Sequence, residues 1–499
     1  MQVIPFNNRY VNLGETFYVK TSPSPVARPS LIKFNDELAR GLGLSITSLN
    51  SSDVSAIFSG NSIPEGAEPL AMAYAGHQFG QFNPQLGDGR AILLGEIVSP
   101  AGARFDLQLK GSGRTFYSRG GDGRAALGPV LREYLVSEAM KKLNVPTTRA
   151  LAAVTTGEAV ARERLLPGGI ITRVASSFVR VGTFQFFSAK GDVEAIQKLA
   201  DHVIERNYPN AIAAGEAKNP YVAFLKAVMD SQAALIAQWM HLGFIHGVMN
   251  TDNMSIAGET IDYGPCAFMD TFDHDQVFSS IDREGRYAYS NQASIGLWNL
   301  TRLAETLLPL LAENTEAAVK VAQDVLKTYV EVYQNNWLAG MQAKCGLFTT
   351  SDETREDDKE LIEDLLNAMA ANNADFTLTF FNLSQLSSQV SEHDSDIQRL
   401  FDKPAQLDDW LARWRKRLNE ETLSDAERQA KMQAVNPVYI PRNHRIEAAI
   451  RAAEDHGDFS VFHELHEVLQ NPYMQQEGKD SYSLPPEPDE VVLQTFCGT

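Results

Sequence analysis

Residues 244–270 read FIHGVMNTDNMSIAGETIDYGPCAFMD, an apolar start that leads into a polar turn. The turn begins at His246-Gly247 and ends in Asp252-Asn253, and a short hairpin-like passage then reaches Asp262, nine positions beyond Asn253. Oxygen ligands on either side of a tight turn can hold one hard cation, because Mg²⁺ takes few protein carboxylates and also binds substrate phosphates. The stretch therefore predicts an active site in which Asn253 and Asp262 are metal ligands.

The order of these parts resembles that of kinases, in which an Asn and the Asp of a D-F-G element hold the metal ions. Small-molecule kinases of this fold carry H-G-D and then an Asn, whereas here Val248 follows His246-Gly247 and Asn253 stands five residues further on. The nearest spare carboxylate is Asp252. Such a chain is expected to bind ATP and to catalyse something other than ordinary phosphorylation. The alternative is a polar loop between two core strands.

Composition limits the possible partners and the compartment. The chain has 499 residues, 44% of them hydrophobic, and a formal net charge of -19. An acidic surface argues against binding to nucleic acid or to anionic membranes, although ATP needs only a local basic cleft. Three cysteines make no disulfide framework, and neither a secretory signal nor a long apolar run is visible. We expect a cytoplasmic monomer without a membrane span.

Two glycine-rich turns precede this stretch and suggest a nucleotide site. Gly87, Gly89 and Arg90 stand just before the apolar run 91–94, and a Gly-rich turn lets backbone approach phosphates closely. An ordinary hairpin turn is the alternative. Residues 104–110, RFDLQLK, alternate as a strand that ends in Lys110. Lys110 matches the kinase lysine that contacts ATP phosphates, although it could equally be a solvated surface residue.

The second glycine-rich turn, residues 119–124, includes Asp122 and Gly123 and is followed by a helix from about Pro129. Glu133 and Glu138 on that helix are both candidates for an ion pair with Lys110, and the sequence alone does not choose between them.

Residues 150–190 read as strands, and they carry Arg173 and Arg180, which could clamp phosphate oxygens. Residues 191–243 and most of the chain after Asp270 read as helices, and residues 31–44 also show helical spacing. We therefore predict an α+β protein of the kinase-like, two-lobe kind. It has an N-terminal extension (1–68), an N-lobe with nucleotide loops (69–185), a helical C-lobe (186–400) and a C-terminal helical region with its tail (401–499).

Several long motifs together resemble the selenoprotein O family of protein adenylyltransferases. They are NPQLGDGRAILLGE, DLQLKGSGRTFYSRGGDGRAALGPVLREYLVSEAM, HGVMNTDNMSI, IDYGP, NPVYIPRNH and the terminal TFCGT, and the similarity runs through nearly the whole chain. The resemblance implies a protein-kinase-like fold that binds ATP in a flipped orientation. AMP, or UMP from UTP, would then move to Ser, Thr or Tyr hydroxyls of substrate proteins and of the enzyme itself, with Mg²⁺ or Mn²⁺ as cofactor.

The resemblance also implies roles for individual residues. The nucleotide would be held by Gly87, Gly89, Arg90, Lys110, Asp122, Gly123, Arg173, Arg180 and Asp262. Glu133, rather than Glu138, would pair with Lys110, while Asp252 would accept the proton and Asn253 and Asp262 would carry the metal.

Cys497 stands where animal members carry selenocysteine, and it is a possible redox residue with Cys266 as an open candidate for its partner. Two other functions compete with adenylylation: an ordinary kinase of proteins or small molecules, against which Val248 argues, and a non-catalytic ATP-binding scaffold, against which the complete set of Lys110, Asn253 and Asp262 argues.

Overall fold

Strands dominate the first part of the chain and helices the rest, so the prediction of an α+β protein is confirmed. The computed structural model describes residues 4–45, 49–213, 218–349, 351–492 and 495. The strands are β1 (Tyr18–Lys20), β2 (Ser30–Phe34), β3 (Leu70–Met72), β4 (Gly76–Gln78), β5 (Gln81–Asn83), β6 (Ala91–Val98), β7 (Arg104–Lys110), β8 (Ala125–Ala126), β9 (Arg149–Ala161), β10 (Leu165–Ala175), β11 (Phe244–Ile245) and β12 (Ala267–Phe268).

The helices follow in two groups. Those up to residue 311 are α1 (Asp36–Gly41), α2 (Ser51–Phe58), α3 (Leu127–Lys142), α4 (Val181–Ser188), α5 (Val193–Asn207), α6 (Pro209–Ala213), α7 (Pro220–His241) and α8 (Gln292–Leu311). The later ones are α9 (Thr315–Leu326), α10 (Tyr329–Cys345), α11 (Asp352–Ala371), α12 (Phe376–Leu383), α13 (Asp394–Gln398), α14 (Pro404–Leu418), α15 (Asp425–Gln433), α16 (Asn443–His456) and α17 (Ser460–Val468).

Within the described ranges, one antiparallel sheet carries most of the strands, in the order β1-β3-β6-β7-β10-β9-β2 with β8 paired to β10. The register of β6 and β7 sets Ala91 opposite Lys110, and that of β10 and β7 sets Ile171 opposite Lys110. Lys110 therefore ends a central strand, beside the turn that precedes β6. Since β1 pairs with β3 and β2 with β9, residues before position 69 contribute to the same sheet.

The predicted strand over residues 104–110 is confirmed, and both of its faces are buried. Leu107 and Leu109 face the apolar core, whereas Asp106 and Gln108 point to the other side and are also buried. Asp106 accepts a hydrogen bond from the Phe178 backbone at 2.9 Å and pairs with Arg206 at 2.7 Å. The polar face is thus enclosed by helices and satisfied by internal partners, as buried charges require.

Helix α3 begins close to the predicted position, with Pro129 in its first turn. Nearly all of its residues are buried, because the sheet covers one side and α16 and α17 cover another. Polar contacts join it to α16: the Gly128 backbone donates to Glu454 at 2.8 Å, and Arg132 donates to Asn443 at 2.8 Å. The C-terminal helices therefore fix the position of the helix that carries Glu133.

Two secondary-structure predictions are wrong. Residues 181–188, predicted as strand, form α4, which begins where the Arg180 backbone N–H donates to the Thr183 hydroxyl. This apolar segment is buried on all sides, and periodicity cannot separate a short buried helix from a buried strand. Residues 31–34, predicted as helix, form part of β2 because they pair with β9; the helix α1 starts only at Asp36, after the Asn35 cap.

A buried ion cluster joins the C-terminal region to the segment that follows the predicted active site. Arg442, which precedes α16, is fully buried, donates to Asp375 at 2.8 Å and also pairs with Asp270. Its guanidinium is the counter-charge for both carboxylates, so its loss would leave two buried acids facing each other.

We expect Arg442→Ala to lower the free energy of unfolding by about 3–5 kcal/mol, because breaking a buried pair leaves uncompensated buried charge. Urea denaturation followed by circular dichroism would measure this. Arg399→Ala is the matched control, since Arg399 has 71% of its side chain exposed and pairs with the exposed Asp396, and an exposed pair contributes about 0–1 kcal/mol. Equal losses in the two variants would contradict the assignment.

Candidate active site

The predicted site residues converge on one cleft of about 610 Å³. It is lined by both glycine-rich loops, the end of β7 and the turn after β11. The predicted ligands that line it are Gly87, Gly89, Arg90, Lys110, Asp122, Gly123, Arg173, Arg180, Asp252, Asn253 and Asp262. Glu133 lies behind this lining and is buried.

Three cationic side chains meet at the carboxylate of Asp262. Lys110 Nζ lies 3.4 Å from Asp262 Oδ1, Arg180 donates to Oδ2 at 2.8 Å, and Arg173 donates to Oδ1. Burial alone would raise the pKa of Asp262, but Arg173, Arg180 and Lys110 together lower it well below its usual range. The carboxylate is therefore ionised, and positive charge is concentrated around it. Asp262 has φ of 64°, a left-handed conformation in which Asp is enriched.

Glu133 supports two of these cations from behind. Its carboxylate accepts from Lys110 Nζ at 2.8 Å and also from Arg173. Burial raises the pKa of Glu133, and Arg173 and Lys110 more than offset this, so the group remains ionised. Glu138 points elsewhere and binds Arg149 at 2.7 Å. The structure thus pairs Lys110 with Glu133, the alternative that the family resemblance favoured.

The chain delivers each cation from a different element. Lys110 ends β7, Arg173 stands on the neighbouring β10 opposite Gln108, and Arg180 directly precedes α4. Arg180 also donates to the backbone carbonyl of Asp252 at 2.7 Å, and the ring of Tyr74 lies 4.6 Å from its guanidinium. Packing against this ring and these oxygens holds Arg180 at the junction between the sheet and the Asp252 turn.

Asp252 lies in a short 3₁₀ turn, Thr251–Asn253, and its side chain is almost fully buried. Gln78 donates to Oδ2 at 3.1 Å, while Oδ1 is buried without a hydrogen-bond partner among the described residues. Burial raises the pKa of Asp252 to about 6. Asp252 is thus a buried carboxylate with a raised pKa in the lining of a cationic cleft, the kind of group that can accept a proton.

Val248 and Asn253 complete this side of the cleft. Asn253 Nδ2 donates to the Val248 carbonyl at 3.0 Å, so that its amide nitrogen is occupied. The Val248 side chain is buried and lines the cleft. The position that holds an Asp in small-molecule kinases is therefore apolar here.

The two glycine-rich loops pack on each other. Gly87 has φ of 66°, and a side chain there would collide with the ring of Tyr117, which shortly precedes the second loop. Gly123 has φ of 68°, and a Cβ there would collide with the backbone of Gly113. The Asp122 carboxylate binds Arg162 at 2.8 Å, and this contact lowers its pKa. The pair of Asp122 and Arg162 therefore stabilises the second glycine-rich loop, and both residues line the cleft.

Sequence reasoning missed Asp88 and Gln78. Asp88 is buried, accepts from the Met72 backbone at 3.1 Å and lies 4.0 Å from Arg180. Burial raises its pKa to about 6. Asp88 stands inside the glycine-rich turn 87–90, so a carboxylate between two glycines was the available signal. No sequence signal pointed to Gln78, because its partner Asp252 lies 174 positions away.

The redox prediction concerns Cys266 and Cys497. Cys266 is buried, and Cys497 lies outside the described residues. Thr495 is described, and its hydroxyl donates to the Pro265 carbonyl at 2.9 Å. The tail therefore returns to the residue that precedes Cys266, and the pairing of Cys266 with Cys497 stays a prediction.

Among the described residues, no helix is both long and apolar enough to cross a membrane. No group of three or more His, Cys, Asp or Glu side chains suited to a metal is found in the same part of the chain.

A cluster of cations around an ionised Asp, beside a second buried carboxylate, is the kind of site expected of a nucleotide-dependent transferase. The family model "Protein adenylyltransferase SelO" matches residues 1–470. The chain is 59% identical over 495 residues to the protein nucleotidyltransferase YdiU of Rhodopseudomonas palustris strain BisB5, covering 99% of each chain. It is 57% identical over 499 residues to that of Rhizobium meliloti strain 1021, covering 100% of each.

The chain belongs to the SelO family of protein adenylyltransferases. These comparisons confirm two predictions: that the chain is a member of this family, and that it is a protein nucleotidyltransferase that uses ATP.

We expect Glu133→Gln to lower the rate of nucleotide transfer about tenfold to a hundredfold, because each charge-assisted hydrogen bond that it weakens contributes roughly 1.5–3 kcal/mol. The rate would be measured with labelled ATP at saturating concentration. Glu138→Gln is the matched control on the same helix: it disturbs the pair with Arg149 and should lower thermal stability without changing the rate. Equal loss of rate in both variants would refute the role of Glu133.

Proposed function

We propose that this enzyme transfers AMP from ATP to Ser, Thr or Tyr hydroxyls of proteins, including its own, and that it also accepts UTP as a donor of UMP. The observation that carries the proposal is the relation of Asp252 to the cation cluster. The Asp252 carboxylate lines the same cleft as Lys110, Arg173 and Arg180. Asp252 can accept a proton while the three cationic side chains balance the negative charge of the phosphates.

In the proposed reaction, Lys110, Arg173 and Arg180 bind the β- and γ-phosphates of ATP. The Asp252 carboxylate accepts the proton of the acceptor hydroxyl as the oxygen attacks the α-phosphorus, and the bond to the bridging oxygen of the β-phosphate breaks. Pyrophosphate leaves with its charge balanced by the same three side chains. Such catalysis rests on positioning and on charge stabilisation in a site prepared before the substrate arrives.

We propose Mg²⁺ or Mn²⁺ as the cofactor, held by Asn253 and Asp262 together with phosphate oxygens. The donor chemistry fits: an amide oxygen and an ionised carboxylate line one cleft, and Mg²⁺ commonly uses one or two protein ligands plus substrate phosphates. Asn253 Nδ2 donates to Val248, which leaves the amide oxygen of Asn253 as the group to bind a cation. When bound, the metal neutralises charge on the phosphates.

The finer fold assignment, a kinase-like arrangement of two lobes, is part of the same proposal. It is supported by an antiparallel sheet before a mainly helical region and by the ion pair between a strand lysine and a helix glutamate. Kinases hold their phosphate-binding lysine in the same way. The predicted boundaries at residues 68, 185 and 400 remain predictions.

Labelled nucleotide distinguishes the proposed reaction from phosphorylation. With ATP labelled at the α-phosphate, we expect label on the enzyme and on proteins of a cell extract, and none from γ-labelled ATP. Asp252→Asn should lower transfer by about 10²–10⁴-fold, the typical contribution of a general base, while ATP binding persists. Asp262→Asn should lower both nucleotide transfer and ATP binding.

The exposed Asp409 of α14 supplies the control, and Asp409→Asn should behave as the unmodified enzyme. Protein-bound γ-label without α-label would identify a kinase. ATP binding without either label would favour the scaffold.

The metal proposal predicts that chelation abolishes transfer and that added Mg²⁺ or Mn²⁺ restores it. Asn253→Ala should raise the metal concentration needed for half-maximal activity by about tenfold or more, since even outer-shell changes cost 10–100-fold in affinity. Calorimetric titration of Mn²⁺ into the enzyme with a non-hydrolysable ATP analogue would measure the same shift. Unchanged metal affinity in Asn253→Ala would remove Asn253 from the site.

A further inference from the structure

A patch of aromatic and cationic side chains lies outside the nucleotide cleft. Trp298 on α8 is its centre: the guanidinium groups of Arg286 and Arg302 lie 4.7 Å and 5.1 Å from its ring, and the ring of His77 lies 5.2 Å away. Phe82 packs on His77 at 4.8 Å and is 42% exposed. We call these five residues the tryptophan patch.

The tryptophan patch adjoins the proposed base through the β4–β5 hairpin. His77 stands next to Gln78, which donates to Asp252 Oδ2 at 3.1 Å. The hairpin is held in place by His77, whose backbone donates to Thr251 at 2.7 Å, and by Phe79, whose backbone donates to Asn250 at 3.1 Å. One side of the hairpin therefore meets the reacting carboxylate, and the same short segment contributes to the patch.

The charge of the patch is opposite to that of the whole chain. The net charge is -19, yet Arg286 makes no ion pair with any residue that the structure describes. Arg302 pairs with Glu305, whose side chain is half exposed. Burial lowers the pKa of His77, and the charges of Arg302 and Arg286 also contribute. Arg286 thus has no acidic partner among the described residues, and an incoming anion would compete only with the half-exposed Glu305 for Arg302.

Arginine in this arrangement suits a carboxylate. A guanidinium that packs on an aromatic ring keeps its edge N–H donors, which match the two oxygens of a carboxylate. Apolar surface lies close by: Phe82 belongs to the patch, and Ile281, 61% exposed, lines the cleft itself. Exposed apolar side chains beside polar anchors are typical of protein-binding surfaces.

We propose that the tryptophan patch binds the acceptor segment of the substrate protein, and that this segment carries an Asp or Glu side chain close to the hydroxyl that receives AMP. The carboxylate pairs with Arg286 and Arg302, and a neighbouring apolar side chain packs on Phe82. This inference rests on the proposed function. Because the rest of the enzyme is acidic, a local cationic patch beside Asp252 selects acidic segments that the remaining surface would repel.

The test uses the full-length enzyme and short synthetic peptides that share one acceptor residue, Tyr, Ser or Thr, flanked either by Asp or by Lys. AMP transfer from α-labelled ATP gives KM and kcat, and fluorescence anisotropy of labelled peptides gives affinity without chemistry. The variants are Arg286→Gln, Arg302→Gln and Arg302→Glu. Lys320→Glu, at an exposed position of α9, is the charge-matched control.

We expect the unmodified enzyme to prefer the Asp-flanked peptide, with an affinity that falls as salt rises. The arginine variants should raise its KM about tenfold and leave the affinity for ATP unchanged, while Arg302→Glu should improve binding of the Lys-flanked peptide. Lys320→Glu should change none of these. This reversal of preference is a result that a merely destabilised variant would not give.

Equal use of both peptides by the unmodified enzyme, or equal losses on both in the arginine variants, would overturn the proposal while AMP transfer itself stands. Displacement of the peptide by a single-stranded oligonucleotide would assign the patch to nucleic acid and would also overturn it. A complete absence of α-label on peptides and on the enzyme would instead refute the proposed function, and this inference with it.

Discussion

The structure of the active site depends on the convergence of Lys110, Arg173 and Arg180 at the carboxylate of Asp262. Concentrating like charges in a buried place is unfavourable unless acidic partners surround them. Asp262 and Glu133 supply those partners, and each binds more than one cation. The result is a cleft whose charged groups are held by partners within the protein, so that the proposed binding of phosphate would need little reorganisation.

This constraint explains why distant parts of the chain are packed together. Glu133 is useful only if α3 stays against the sheet, and α16 and α17 from the C-terminal region cover its other side. Arg442 then ties the start of α16 to Asp270, eight positions beyond Asp262. The C-terminal helices thus support both α3, whose Glu133 binds Lys110, and the segment that carries Asp262.

Much of this arrangement could be predicted from sequence, where the signal was local. Alternation and a following glycine identified the strand that ends in Lys110. The choice between Glu133 and Glu138 could not be made from spacing. Side chains five positions apart on a helix point in directions that differ by roughly 140°, and packing decides which of the two faces Lys110. Gln78 could not be identified because its partner, Asp252, is remote in sequence. Helix α4 was predicted as a strand because every side of it is buried.

The proposed reaction requires ATP to lie in this cleft with its α-phosphate towards Asp252. A crystal structure with Mg²⁺ and a non-hydrolysable ATP analogue would test it most directly. We predict that the α-phosphorus is the phosphorus atom closest to the Asp252 carboxylate, with the β- and γ-phosphates against Lys110, Arg173 and Arg180. A γ-phosphate closest to Asp252, with the α-phosphate deep in the cleft, would contradict the account.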